Sequence, residues 1–249
     1  MKMFICSFLV ISFSIGLNAQ SKINAVEILK QAEAKRMPWP QMSFVASLVD
    51  SGISNSNSSY QVFFQDHKAL VACLAPSSQK GNLLLLLNNE MWLYIHATQQ
   101  PMKITPLQRL SGSVSFVDMA RLEWTQDYTI EGYELVKLDM TKDVYLLHLR
   151  ANGQAISYQK INLWIEKGSN RPIKEEVFLS SNKLYKTLFF TKYQTIEGKE
   201  INMEIAFIDY FNKGKKTLLQ FSKPQIEKHL SADFFLKDKL PAVSNELSK

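Results

Sequence analysis

Few side chains in this sequence are placed to do chemistry. His67, His96, His148 and His229 stand apart, with no second histidine or cysteine at metal-ligand spacing, so no metal site is expected. Gly112-Ser113-Val114-Ser115 lacks the second glycine of a nucleophile elbow. Asp139 and Asp143 imitate a carboxylate pair, but their spacing suits the two ends of a hairpin turn. No phosphate-binding loop is present, and nine glycines leave few tight backbone cradles for a cofactor. The expectation is therefore a protein without catalytic residues or cofactor, acting through a binding surface. An enzyme would need residues gathered from distant strands.

Charge and length narrow the class of ligand. With 249 residues and 46% hydrophobic content, the chain can bury a sizeable core, most simply as one β domain. Residues 1–19 read as a cleavable leader: Lys2, an apolar run from Phe4 to Leu17, then Leu17-Asn18-Ala19 before Gln20. The apolar run is short for a membrane span. Cys6 lies inside it, away from a lipidation position, so an exported, unanchored periplasmic protein covering residues 20–249 is expected. The net charge of +6 falls by one with Lys2. The basic residues are dispersed, which argues against nucleic acid and leaves weak, transient membrane contact open. Cys73, the remaining thiol, is expected as a small buried hydrophobe within Leu70-Val71-Ala72-Cys73-Leu74.

The elements that must build the surface are mostly strands. An amphipathic helix is predicted over 25–37, capped by Asn24 with Glu27 three residues on and stopped by Pro38-Trp39-Pro40. From Met42 the hydrophobic period becomes two and stays near two for most of the next 180 residues or so. About eleven antiparallel strands are expected. Between them lie a connector over Pro101 to Pro106, one or two helical turns within Ser115 to Leu122, and a hook over Ser231 to Leu240 followed by a frayed end.

A meander of that length curls, because sheet twist accumulates, and curling makes a concave apolar face. Two readings of that face stand side by side. It is ordinary core, filled by the first helix, the Ser115 to Leu122 segment and the C-terminal hook, or it keeps an apolar cavity fit for hydrocarbon. At roughly 0.8 kcal/mol per methylene, an acyl chain of about sixteen carbons offers on the order of 10 kcal/mol before ordering costs. The expected cavity lining is Phe44, Leu48, Tyr60, Val62, Phe64, Trp92, Tyr94, Phe116, Leu147, Leu149, Met203, Ile205 and Phe207. Leu83 to Leu87 is apolar on both strand faces, so its outer side is either covered or a docking patch.

A family resemblance runs through the chain in order. Met91-Trp92-Leu93-Tyr94, Pro101, Lys103, Arg109, Gly112, Ser115-Phe116, Asp118, Ala120-Arg121 and Asp127-Tyr128 resemble the outer-membrane lipoprotein-sorting, or LolA-like, proteins. Leu163-Trp164, Arg171-Pro172, Lys174, Ser180 to Thr187, Phe234 and Leu240 continue the pattern. The resemblance implies a mainly β (α+β) fold: one unclosed antiparallel β-barrel of about eleven strands with helices in its concave side. It further implies a monomeric periplasmic carrier for the acyl chains of lipoproteins or lipids, loaded by an inner-membrane transporter and unloaded to an outer-membrane acceptor. In that family an arginine holds a closed state; Arg109, Asp118 and Arg121 are the charged candidates for a lid or mouth here, with Arg109 and Arg121 as solvated surface arginines on the other reading. The alternative function is an accessory of an envelope lipid exporter, binding proteins through its outer surface at Leu83 to Leu87.

Overall fold

The computed structural model describes residues 24–249 apart from 51–57, 88–89, 121–122 and 213. The expected leader and Arg121 lie outside the described residues. Helix α1 (Ala25–Ala34) is capped as its sequence predicts, the Asn24 side chain accepting from the Glu27 amide at 3.2 Å. It ends three residues short of the predicted Met37, where a turn lets Pro38 and Pro40 lead the chain into extended backbone.

Among the described residues, thirteen antiparallel strands form one sheet. They are β1 (Gln41–Asp50), β2 (Ser58–Gln65), β3 (Lys68–Ala75), β4 (Leu83–Leu87), β5 (Glu90–Ile95), β6 (Gln100–Ile104), β9 (Tyr128–Leu138), β10 (Lys142–Ala151), β11 (Lys160–Glu166), β12 (Pro172–Phe178), β13 (Leu184–Ile196), β14 (Lys199–Asp209) and β15 (Lys215–Ile226). Their order is β6-β5-β4-β3-β2-β1-β15-β14-β13-β12-β11-β10-β9, so the first and last strands of the meander pair at the centre and β6 and β9 are the two free edges. The sheet curls without closing. Register shifts along β1, β2, β9, β11, β12 and β13 add bends of the kind that curve a sheet.

Two elements differ from the sequence reading. Part of the predicted connector is the edge strand β6, pairing Met91 with Ile104 and Tyr94 with Pro101; proline is tolerated there because an edge strand needs no second ladder. The two runs around Gly132 form the single strand β9, with one extra residue bulged opposite His148 and Leu149.

The chain joining the free edges folds inward. It makes a small ribbon, β7 (Arg109–Ser111) with β8 (Val114–Ser115), then two short helices, α2 (Phe116–Ala120) and α3 (Trp124–Asp127). With α1 it packs on the inner face, where Leu29 and Ala32 meet Val114, Phe116, Val117, Met119 and Trp124 in one core with the strands.

The outer face is covered elsewhere. Leu70, Ala72, Leu83, Leu85 and Tyr94 lie under Phe235, Leu240 and Val243. The hook therefore packs outside the sheet rather than within its concavity, and the predicted frayed end is helix α4 (Leu240–Leu247). His96 holds it by a 2.7 Å contact to Ser244, whose hydroxyl donates to the Gly81 carbonyl at 2.6 Å. Leu83 to Leu87 is thus buried on both sides, Leu84 and Leu86 inward and Leu83 and Leu85 outward, and does not form an open docking patch.

Trimming the fully buried Leu240 to alanine should lower stability by about 2–5 kcal/mol, because the strands beneath cannot collapse into the void. Val26→Ala, at a side chain 65% exposed, should change little. Urea denaturation of both variants checks the contrast.

Candidate functional site

The inner face carries most of the predicted lining. Phe44, Leu48, Tyr60, Val62, Phe64, Phe116, Leu147, Leu149, Ile205 and Phe207 belong to one contiguous cluster, and Met203 packs against it. Trp92 and Tyr94 do not. Both side chains point to the outer cluster, Tyr94 buried there and Trp92 stacked under Lys237 at 3.8 Å. Their alternates Met91 and Leu93 face inward instead, because in β5 both phases of the alternation are apolar and the pattern alone did not choose between them.

The ribbon is seated by its turn. Gly112 has φ +55°, and a Cβ there would collide with Asp50 and Thr217. That close approach lets the Ser113 amide donate to Thr217 Oγ1 at 2.8 Å and the Ser113 hydroxyl to the Lys215 carbonyl at 2.9 Å. Gly112, read above for the family resemblance and a missing nucleophile motif, and Ser113 beside it fasten the insert to β15.

A second fastening lies deeper. Lys186 Nζ on β13 contacts Asp118 Oδ2 on α2 at 2.5 Å, both side chains essentially without solvent exposure. Lys186 also donates to Ser115 Oγ at 2.7 Å. Asp118 accepts from the Ser115 amide at 2.7 Å and from the Tyr158 hydroxyl at 2.5 Å, so the pair is hydrogen-bonded all round. Burial, with the Asp118 charge beside it, holds the Tyr158 phenol well above its usual range. Asp118, expected at a lid or mouth, is therefore a buried anchor of the insert. Arg109 lies on β7, at the start of the ribbon.

A third polar group completes the site. Arg36, just past α1, is 9% exposed, its guanidinium 4.4 Å from the Trp124 ring centre and 5.6 Å from that of Phe190. Glu175 on β12 is 4% exposed and accepts from Trp124 Nε1 at 3.2 Å. Burial pushes the Glu175 carboxyl up and the nearby Arg36 charge pulls it partly back. Among the described residues, Arg36 Nε and Glu175 Oε2 have no hydrogen-bond partner. Arg36 and Lys186 were both missed as site residues, although each breaks an apolar pattern: Arg36 follows Leu29 and Ala32 on the helix stripe, and Lys186 shares its strand face with Leu188 and Phe190.

Cavities flank the insert. One of about 240 Å³ runs beside Phe116 and Leu110 and is lined by Tyr60, Val71, Leu84 and Leu93. Another of about 390 Å³ opens at the end of α1 among Met37, Trp39, Phe64 and Leu86, with Glu33, His67 and Glu123 at its polar side. Both are near the lower end of the roughly 300–1,000 Å³ usual for small-molecule sites.

A family model described as an uncharacterized protein matches residues 65–242. A LolA superfamily protein from Nitrosomonas europaea superposes with a TM-score of 0.77 at 26% identity, over 87% of this chain and 99% of that one. The chain belongs to the matched family and is LolA-like. The same fold recurs in a Vibrio parahaemolyticus domain described as an outer membrane lipoprotein-sorting protein, with a TM-score of 0.72, 20% identity and coverage of 87% and 97%. A DUF1329 family protein from Desulfovibrio piger gives 0.70, 18%, 86% and 97%. No curated protein matches the chain. The LolA-like fold thus accounts for the unclosed sheet and inner helices, and among the described residues no helix is long and apolar enough to cross a membrane.

Two outcomes follow from the buried polar groups of this LolA-like site. Lys186→Met leaves Asp118 uncompensated and should cost about 3–5 kcal/mol, whereas pairing it with Asp118→Leu should recover most of the loss; a double-mutant cycle by urea denaturation decides. Glu175 is held above its ordinary 4.5 when folded, so the unfolded chain loses the proton first and stability falls as pH rises through that window. Glu175→Gln should remove this slope: the stability of the variant relative to wild type should be flat below about pH 4.5 and grow above it. Parallel pH profiles would contradict the assignment.

Proposed function

We propose that this protein is a periplasmic carrier that holds the acyl chains of a lipoprotein or lipid against the inner face of its open sheet. The observation that carries this reading is the nature of what fills that face. Phe116, Val117 and Met119 reach it from a short insert rather than from the sheet, with a mainly apolar cavity beside Phe116 and a second, partly polar one at the end of α1. Hydrocarbon can replace such side chains at little cost, because one apolar surface is exchanged for another.

The fit to the LolA superfamily supports the same class of cargo, and the Vibrio relative is described by lipoprotein sorting. In this reading an inner-membrane transporter loads the carrier and an outer-membrane acceptor unloads it. The protein-binding alternative loses its proposed patch, since Phe235, Leu240 and Val243 cover the outer leucines.

Protein purified from its native envelope should carry an acylated species in one-to-one ratio by native mass spectrometry, and the delipidated protein should bind a fluorescent acyl probe. Absence of both overturns the carrier reading.

A further inference from the structure

We propose that Arg36 is the polar anchor of the cargo: the carbonyl end of an acyl chain accepts a hydrogen bond from its guanidinium, while the hydrocarbon enters the adjoining methionine-lined slot. The inference rests on the carrier reading and adds to it the chemistry of the recognised group.

Arg36 stays charged in a protein interior, and a buried charge needs acceptors. Trp124 and Phe190 offer it ring faces, which accept no in-plane N–H hydrogen bond, and among the described residues Nε is without a partner. Glu175 is the acid with the strongest electrostatic influence on Arg36, yet among the described residues its Oε2 is also unpartnered. Arg36 Nε therefore calls for an acceptor from outside these groups.

Arg36 and Glu175 line one cavity of about 40 Å³ together with Asp118, Trp124 and Tyr158. At about 10–15 Å³ per water-sized probe, it has room for roughly three such probes, the scale of a carbonyl with its neighbouring atom and not of a sugar or a large phosphate ester. Three other acids line it. Asp118 is engaged by Lys186, Ser115 and Tyr158, Glu123 contacts His67 at 2.6 Å, and Asp127 has a partner of its own. Their presence makes a neutral ester or amide carbonyl a better guest than a free carboxylate.

Arg36 and Asp118 also line a second, apolar void of about 20 Å³ with Met37, Phe44, Met119 and Met203. Thioether chains repack readily, so this narrow slot can widen for a methylene chain that begins at Arg36. Polar end and apolar path therefore meet at one residue.

The test compares ligands that differ in one group: methyl dodecanoate, dodecyl methyl ether, which lacks the carbonyl, and dodecanoate, each displacing a fluorescent acyl probe from the delipidated protein. Wild type should bind the ester about ten- to a hundredfold more tightly than the ether, as expected for one hydrogen bond to a charged donor. Arg36→Met should abolish that ratio and leave the ether within about twofold. Dodecanoate binding more weakly than the ester supports a neutral ester or amide carbonyl as the anchored group; dodecanoate binding more tightly than the ester overturns that assignment. Ester and ether binding equally to wild type overturns the anchor alone, whether or not the variant folds. Failure of all three ligands to bind overturns the carrier reading with it.

Discussion

A thirteen-strand sheet that curls without closing must keep water from its concave apolar face, and its two free edges set where the cover comes from. The chain that links β6 to β9 has to cross that gap in any case, so residues 105–127 can lean inward at no topological cost. Leaning inward carries backbone and charged groups into an apolar space. The full hydrogen bonding of Asp118 by Lys186, Ser115 and Tyr158 is the condition on which this packing rests. Such a pair is costly to break by removing one partner, yet contributes little beyond what apolar groups would give. It fixes where the insert sits without holding it there strongly.

The outer face shows the opposite solution. There Leu83, Leu85 and Tyr94 meet Phe235, Leu240 and Val243 in an apolar interface, with Phe63 and Phe234 edge to face at 4.9 Å. Among the described residues no buried ion pair joins the two sides, and Ser244 bridges His96 and Gly81. One face is sealed by packing, the other by a specified plug with cavities beside it. That asymmetry is what favours the inner face as the binding surface in the carrier reading proposed above.

Most of the strand pattern was legible because one-faced burial imposes a period of two. The helix cap at Asn24, the hairpin at Leu83 to Ile95 and the inward turn of Phe116 all follow from local chemistry. Where both phases of a strand are apolar, as in β4 and β5, alternation says nothing about direction, and Trp92 and Tyr94 were assigned to the wrong face. The C-terminal segment decided that outcome, and its destination is a long-range property that spacing does not encode. Arg36, Lys186 and Glu175 were visible as charges in apolar phases, but their partners, Trp124 for Arg36 and Glu175 and Asp118 for Lys186, come from separate elements. Only the fold brings them together.

The central claim is that the acyl chain lies against the inner face. A long-chain acyl probe with a photoreactive group at its methyl end, bound to the delipidated protein, irradiated and mapped by peptide mass spectrometry, tests it directly. Labels on inner-face residues such as Phe44, Val62, Phe116, Met203 or Ile205 are the predicted result. Labels confined to Phe234, Leu236 or α4, on the outer face, would contradict it.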